Sequence, residues 1–588
     1  MTFDVRDYLP SPANWFAAEI EYQGWGVADF ADPKGSIEGP VTIRYSESGR
    51  ASAEMILEPG ALRSERTLRF GLMEFLSGAQ PRVVDGSFTF SPSSSQNPCV
   101  NLRVETSEGV IRTGSVVAHG YRTGYGWDNE GDPGEQVSFE FYSAEYEGHE
   151  PTEPRYWVLP LINFVSDLRW SRPELDRHPL RIFPTTEVPE EITRVRQGPD
   201  KEEHDRRAML ALLAANHENR LITFDFNGAL GFVERLPDFE NRRDSLLRGD
   251  AQTRLTAVMV GEIGPNPTAD FDEIAQWLHP ADQLSLLTLA TGTEVGSPWV
   301  EIRDAEGRLV RRSHQPHHMR QFRKGHQLVE ERPFKDKRSL TGIGRLITRA
   351  MSCSSSFGEG FLRVAIWNLV RSKYDGQTFE ESLAYLCRGL DGLCETHEVA
   401  RKFLRDSLNA AQQEAVKEVL SRSAKEIREL KRAAKAGNDQ NASAALSTIE
   451  SNISNADNTE RKFGHAVTDL LDRFKMPDVG IIDEYYKVHP RDDGREHWSD
   501  VVSHYRTRVI HYGHLDMSAG TDWQDVWTII NHLHDMMARI LLRILEYDGG
   551  YQPTVLPMPS VPCAVDWVEP NTQAYQLGYK EAGTSQGQ

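Results

Sequence analysis

The chain has 588 residues, of which 39% are hydrophobic and 26% are charged, and its formal net charge is −21 at pH 7. This composition is ordinary for a soluble globular protein, and at roughly 150 residues per domain the length suggests about three or four domains. An acidic chain is repelled on average by a phosphate backbone, so a nucleic-acid partner would need a locally basic surface. The five cysteines include no C-x-x-C pair, which argues against a disulfide scaffold or a cysteine zinc site.

The sequence predicts a cytoplasmic protein with reduced thiols. Its N-terminal residues contain no basic segment followed by an apolar stretch, so we expect no signal peptide. No apolar run approaches the roughly 20 residues that cross a bilayer. The chain also contains no phosphate-binding G-x-x-x-x-G-K-[ST] loop, no G-x-S-x-G elbow and no H-E-x-x-H zinc helix, and we expect neither a cofactor nor a bound metal.

Residues 1–155 are predicted to form a β-rich N-terminal domain. Apolar and polar side chains alternate in short runs, a pattern typical of half-buried strands. The clearest runs are residues 41–45, 87–90 and 137–142. Clusters of Gly, Pro, Ser and Asp separate them, as at residues 131–134, and predict turns.

Residues 156–305 are predicted to form a mixed α/β continuation of this region. Strands are expected at residues 221–226, 257–261 and 299–303, the last of these being the final strand. Helices are expected at residues 202–216 and 270–279. The sequence leaves open whether residues 1–305 form one domain or two.

Residues 306–340 are predicted to be a basic linker. The surrounding Lys and Arg residues either bind an RNA backbone or belong to a solvated segment, and the sequence favours neither. They are Arg311, Arg312, Arg320, Arg323, Lys324, Lys335, Lys337, Arg338, Arg345 and Arg349. The nearby His314, His317 and His318 lack an accompanying carboxylate or cysteine pattern, so a metal site is not the favoured interpretation.

Residues 341–550 are predicted to form an all-α domain, and residues 551–588 a C-terminal tail. Apolar residues recur at helical spacing over residues 357–373, 378–396, 466–474 and 522–545. Residues 400–436 form a long charged helix in which Glu alternates with Lys and Arg, so we expect a solvated, salt-bridged face. Residues 437–458 are expected to be a loop or a weak helix. The predicted fold class is therefore multidomain α+β, a β-rich N-terminal region followed by a helical bundle.

One pair of residues in the helical domain has the chemistry needed to cleave RNA without a metal. Arg506 and His511 lie five positions apart at the end of a predicted helix, just before Gly513. Histidine can accept the proton of a ribose 2′-hydroxyl or protonate the leaving 5′-oxygen. Arginine can hold the scissile phosphate and stabilise its transition state. The spacing alone is not specific, because Arg312 and His317 share it.

The surrounding segments resemble the HEPN superfamily of ribonucleases, in particular the ApeA-type anti-phage abortive-infection proteins. The segment 505–513, YRTRVIHYG, resembles the R-x4-6-H motif of that family. The segment 379–393, FEESLAYLCRGLDGL, resembles its early helix, in which an acidic residue often lies near the position of Asp391. The β-rich region is similar to the N-terminal domain of the same proteins in its architecture and in the segment 282–292, DQLSLLTLATG.

The resemblance implies a metal-independent endoribonuclease that cleaves host RNA, with transfer RNA as a candidate, and causes abortive infection. Arg506 and His511 would be catalytic, two helical domains would pair as a homodimer, and the N-terminal region would sense a phage-derived trigger or restrain the nuclease. The family commonly has Asn, Asp or His after the arginine, whereas this chain has Thr507. That difference leaves open an inactive HEPN-like RNA-binding or scaffold protein. A third interpretation is a carbohydrate- or protein-binding β-sandwich joined to a dimerisation bundle.

Overall fold

The computed structural model divides the chain into two compact units, formed mainly by Met1–Ser354 and Ser355–Leu545. It describes residues 19–30, 35–46, 51–57, 81–84, 87–90, 99–113, 116–123, 135–141, 143–149, 153–166, 221–226, 229–236, 238–263, 279–314, 321–329, 342–352, 361–399, 408–456, 463–476, 497–515, 523–547 and 554. The helix predicted at residues 202–216 lies outside these residues, as do all but the last residue of the helix predicted at residues 270–279 and nearly all of the predicted tail. Each unit is treated by itself below.

The first unit is built on one antiparallel sheet. Its strands are β1 (Glu19–Phe30), β2 (Gly35–Ser46), β3 (Ala51–Leu57), β4 (Pro81–Val84), β5 (Ser87–Phe90), β6 (Cys99–Thr106), β7 (Gly109–Thr113), β8 (Val116–Thr123), β9 (Glu135–Phe141), β10 (Ala144–Gly148), β11 (Tyr156–Ile162), β12 (Leu221–Phe226), β13 (Ala229–Arg235), β14 (Leu255–Glu262), β15 (Trp299–Arg303) and β16 (Leu309–His314). Their order is β12-β13-β14-β11-β15-β16-β10-β7-β6-β1-β2-β3-β9-β8-β5-β4. Because the sheet is continuous, residues 1–305 belong to one unit rather than two.

Two parts of this sheet are buried differently. Strand β3 buries alternate residues, Ala51, Ala53, Met55 and Leu57, as a strand with one wet face should. Strands β11 and β15 are buried at every position. Helices cover that part of the sheet: α1 (Phe239–Leu247) packs on β14, and α3 (Gly342–Ser352) packs on β12 and on α2 (Pro280–Thr291). Strands that are covered in this way can carry apolar residues at consecutive positions.

A buried ion cluster links β15 to β16. Glu301 is fully buried and accepts hydrogen bonds from both Arg303 and Arg312, with Nη2–oxygen distances of 2.7 Å in each case. Arg312 is 2% exposed and also donates to the hydroxyl of Tyr22. Although burial acts to raise it, the two guanidinium groups hold the pKa of Glu301 below its usual value. This cluster fixes β16 within the core of the sheet.

The structure therefore corrects part of the prediction of a basic linker at residues 306–340. Residues 309–314 are not a linker but the strand β16, and β15 is not the last strand. Arg312 is occupied by Glu301 and cannot reach an RNA backbone. We predicted that the helical domain begins at residue 341, but helix α3 belongs to the first unit. The second unit begins at Ser355.

The second unit is helical. Its described helices are α4 (Phe361–Arg371), α5 (Phe379–Thr396), α6 (Ala410–Ala436), α7 (Gln440–Asn455), α8 (Phe463–Arg473), α9 (Trp498–Thr507) and α10 (Trp523–Ile544), and a π-turn (Arg508–Tyr512) continues α9. Helix α5 lies at the centre and packs on α4, α8, α9 and α10. The contact with α10 is close, since a Cβ on Gly389 would lie 2.1 Å from a methyl group of Met537. This confirms an α+β protein with a β-rich first unit and a helical second one.

Helices α6 and α7 form a hairpin that contrasts with the packed bundle. Of the residues of α6 only Ala424 is buried, although the helix has 27 residues. Side-chain caps from Asn409 and Asp439 begin the two helices. The segment 440–455, which we predicted to be a loop or a weak helix, is thus a regular helix stabilised by its cap and by packing on α6. None of the helices in the described ranges combines the length and apolar character needed to span a bilayer.

Candidate active site

Helix α9 presents Arg506 at the edge of the bundle. Apolar residues at helical spacing, Trp498, Val501, Val502 and Tyr505, face inward and are buried. Arg506 follows the last of them and keeps 26% of its side chain exposed. A guanidinium at this position is anchored by its own helix yet remains accessible to a ligand.

Asp391 on α5 holds the guanidinium of Arg506. Arg506 Nη2 lies 2.8 Å from Asp391 Oδ2, across 115 residues of sequence. The carboxylate is 41% exposed, so the pair lies at the surface and contributes about 1 kcal/mol or less to stability. Burial raises the pKa of Asp391, and Arg506 acts against that rise. The main effect of this pair is therefore on the position of Arg506.

An aromatic ring provides the second support. The guanidinium carbon of Arg506 lies 5.0 Å from the ring centre of Phe463, within the range of a cation–π contact. Phe463 is the first residue of α8, and the next residue, Gly464, lies directly against α9. A Cβ on Gly464 would be 2.1 Å from the carbonyl oxygen of Ser499. Only glycine permits the approach that places the ring beneath Arg506.

The ion pair leaves Arg506 with unused donors. A guanidinium has five N–H donors, and the contact with Asp391 uses Nη2. Within the described part of the chain, Arg506 Nε has no hydrogen-bond partner, but this atom is buried and out of reach of a ligand. A phosphate would have to bind the Nη groups, either beside Asp391 or in its place. Either mode is available to an arginine that is oriented before the ligand arrives.

His511 lies in the π-turn that follows α9. Helix α9 passes into i→i+5 geometry at Arg508–Tyr512, and Gly513, with φ of 74°, ends the turn. In an α-helix, positions 506 and 511 would be about 140° apart around the axis. At about 4.4 residues per turn, the π segment reduces this angle to about 90°. The backbone of His511 is thus closer to the Arg506 side than its spacing indicates; its side chain lies outside the described atoms.

Two other titratable groups near the motif, His532 and Cys387, are buried. The ring of His532 packs against Trp498 in a tilted arrangement, with ring centres 5.1 Å apart, and is fully buried. Burial lowers the pKa of His532 to about 3. Burial raises the pKa of the Cys387 thiol, which lies one helical turn before Asp391. These two groups are neutral at pH 7. The described residues contain no group of three or more His, Cys, Asp or Glu side chains arranged to hold a metal ion.

The sequence identified Arg506 and, through the family resemblance, the position of Asp391. It did not identify Phe463 or the glycine contact beside it, because neither has a recognisable motif. The available signal is the Phe463-Gly464 pair at the start of an amphipathic helix. Its role depends on the close crossing of two helices at Gly464, which the sequence alone does not show. In comparisons with protein-family models, with curated proteins and with solved structures, the chain matches none.

Proposed function

We propose that the helical unit is a metal-independent endoribonuclease of the HEPN type. The observation that carries the proposal is the placement of Arg506, which is oriented by Asp391 and Phe463 at the surface, immediately before the turn that contains His511. Phosphodiester transfer needs a cation that stabilises the phosphoryl oxygens and a group that transfers the proton, and Arg506 and His511 would supply these two. The same Arg506 and His511 are the residues that the sequence singles out.

In the proposed reaction the ribose 2′-oxygen attacks the adjacent phosphorus and the bond from phosphorus to the 5′-oxygen breaks. One histidine accepts the 2′-hydroxyl proton and a second group protonates the departing 5′-oxygen. Arg506 stabilises the charge that develops on the phosphoryl oxygens. The products are a 2′,3′-cyclic phosphate and a 5′-hydroxyl end. No water enters this step, so its atoms balance.

The need for both a base and an acid supports a homodimer. One copy of the motif supplies a single histidine, His511, whereas two copies that meet across a two-fold axis supply one histidine for each proton transfer. Two arginines would then flank the phosphate. A C2 dimer through the helical unit is therefore part of the proposal.

The biological role that we propose follows from the family resemblance. Cleavage of host RNA, with transfer RNA as the first candidate, would stop growth of an infected cell. The sheet unit would sense a phage-derived trigger or restrain the nuclease until the trigger is present. Action on cellular RNA places the protein in the cytoplasm.

A catalytically inactive RNA-binding or scaffold protein is the second candidate. The ion pair between Asp391 and Arg506 favours it, because a neutralised arginine binds phosphate less strongly than a free one. Thr507 adds to this, since its hydroxyl donates to the carbonyl oxygen of Ser503 on the same helix. RNA binding without cleavage, and unaffected by substitution of His511, would favour this candidate.

The test is to sequence RNA ends after induced expression of the wild type, His511→Ala and Arg506→Ala. We expect new 5′-hydroxyl ends and growth arrest with the wild type, and neither with the two variants at matched expression. Arg508→Ala removes a positive charge from the same turn and is the matched control, which should retain activity. Full toxicity of His511→Ala would refute the assignment.

A further inference from the structure

The hairpin of α6 and α7 occupies a distinctive place in the helical unit. It is inserted between α5, which carries Asp391, and α8, which begins at Phe463. Its two ends therefore connect to the two elements that contact Arg506. The hairpin is therefore connected along the chain to both elements that support the candidate active site.

One side of α6 is a continuous basic stripe. At about 100° per residue, the basic residues of the stripe fall within a sector of about 80°, and no acidic residue between its ends falls in the same sector. They span about 27 Å at 1.5 Å per residue. All five are exposed: Lys417, Lys425, Arg428, Arg432 and Lys435. Although Glu alternates with Lys and Arg along the sequence, the acidic and basic residues lie on different sides of the helix. Glu426 and Glu429 lie outside the stripe.

The hairpin holds this stripe in a fixed orientation. Glu450 on α7 accepts from Arg428 Nε at 2.7 Å and from Lys431 Nζ at 2.8 Å. Hydrogen bonds from Lys431 and Arg428 lower the pKa of Glu450. Arg428 makes this bond through Nε, and the residue is exposed. These salt bridges join the two helices, whereas we predicted salt bridges between Glu and the basic residues of the same helix. The stripe itself is exposed.

The chemistry of the stripe favours a nucleic-acid backbone over a membrane or a protein. Membrane-binding helices place basic residues beside an apolar face that inserts into lipid. Here the exposed apolar residues Val416, Val419 and Leu430 lie on the opposite side of α6 from the stripe. Protein interfaces are anchored by buried aromatic and apolar residues, whereas nucleic-acid interfaces are polar and strongly positive. The stripe contains only Lys, Arg and Ser.

The arm also lacks what recognition of single strands requires. Proteins that bind unpaired RNA stack its bases on aromatic side chains. Residues 409–456 contain no Phe, Tyr, Trp or His. A row of exposed cations without aromatic stacking surfaces is better suited to the phosphates of a duplex, whose bases are already paired and stacked.

We infer that the hairpin arm binds the backbone of base-paired RNA and holds the adjoining unpaired strand for cleavage at Arg506. This inference rests on the proposed function and names its substrate class, an RNA with a stem next to a cleavable single-stranded segment. Recognition is by charge and shape, so it depends strongly on salt and weakly on the sequence of the stem.

The test measures binding of a labelled stem-loop RNA to full-length protein carrying Arg506→Ala, so that the RNA stays intact. We expect Arg432→Glu to weaken binding roughly tenfold near 0.1 M salt and to lower the slope of log affinity against log salt by about one or more. Arg422→Glu is the matched control, an exposed charge reversal on the same helix outside the stripe. It should change affinity less than about threefold.

Two outcomes separate the arm from the nuclease, and two further outcomes test the ligand assigned to the arm. Equal binding by Arg432→Glu and Arg422→Glu would overturn the arm while cleavage by the wild type still supports the proposed function. Weaker binding by Arg432→Glu, with no cleavage by the wild type, would support the arm and refute the nuclease. Unpaired RNA binding as tightly as the stem-loop would overturn the assignment to duplex RNA. Preferential binding to vesicles containing phosphatidylserine would overturn the choice of nucleic acid.

Discussion

Two arginines in this chain are each followed five residues later by a histidine, and their surroundings differ. Arg312 lies in a strand of the sheet unit, is 2% exposed and shares the carboxylate of Glu301 with a second arginine. Arg506 lies at the end of a helix, is 26% exposed and contacts one carboxylate at the surface. The first is part of a buried charge network, and the second is oriented with donors left for a ligand.

The comparison shows that spacing alone has no chemical meaning. An arginine within a fully buried ion cluster cannot be withdrawn from its partner without leaving an uncompensated charge. An arginine in a surface pair can exchange its carboxylate for a phosphate at little cost, because exposed ion pairs contribute about 1 kcal/mol or less. The same side chain is therefore structural in one unit and a candidate for catalysis in the other.

The largest expected effect is on stability in the sheet unit. Arg312→Ala leaves Glu301 buried with one arginine instead of two, and we expect the free energy of unfolding to fall by about 3–5 kcal/mol. Arg112→Ala, which removes an exposed partner of Glu147, is the control and should cost about 1 kcal/mol or less. Denaturant unfolding measures both. Equal losses of unfolding free energy in the two variants would contradict the distinction between buried and surface ion pairs.

Acid should unfold the two units in sequence. His532 is neutral in the folded helical unit because burial lowers its pKa from 6.5 to about 3. Its contribution to stability is present above pH 6.5 and is lost as the pH falls toward 3, by roughly 3 kcal/mol at pH 4. The lowered pKa of Glu301 makes the sheet unit lose stability only below the usual carboxylate pKa of 4.5.

The matched substitution for this prediction is His532→Leu. It should remove the acid sensitivity of the helical unit and cost little at neutral pH, because neither ring nitrogen of His532 has a hydrogen-bond partner among the described residues. His514→Leu, at an exposed position, is the matched control for replacing a histidine by leucine. Circular dichroism at 222 nm during acid titration follows the helices. A profile that His532→Leu does not alter would contradict the account.

A smaller effect is expected from Gly464→Ala. The added methyl group meets the backbone of Ser499 at 2.1 Å, so α8 must shift and carry Phe463 away from Arg506. We expect a loss of about 1–3 kcal/mol in stability together with slower RNA cleavage. Gly437→Ala has its nearest atom at 3.5 Å and should be neutral. Unchanged cleavage by Gly464→Ala would show that the ring does not position the guanidinium.

Local patterns predicted elements whose neighbours agree with them. The strands at residues 221–226 and 299–303 and the helix that begins after Thr378 match the structure, because alternation, burial and a capping box all favour the same element. The sequence predicts a linker at the position of β16, because the basic residues Arg311 and Arg312 indicate solvent exposure. Only the carboxylate of Glu301, on the neighbouring strand, makes Arg312 compatible with the core.

The sequence predicts only the part of the candidate site whose residues are neighbours in the chain. Arg506 and His511 are close in sequence, so a motif could point to them. The supports of Arg506 come from elsewhere: Asp391 is 115 residues away, and Phe463 depends on a helix crossing at Gly464. Contacts of this kind are set by packing between helices, which a local pattern does not encode.

The most direct test of the central claim is single-turnover cleavage of a labelled RNA by purified protein in excess EDTA. The account predicts cleavage by the wild type and by Arg508→Ala, with 2′,3′-cyclic phosphate ends, and a rate at least about 10²–10³-fold lower for Arg506→Ala. Cleavage by Arg506→Ala at the wild-type rate, or no cleavage by the wild type in any activated preparation, would contradict it.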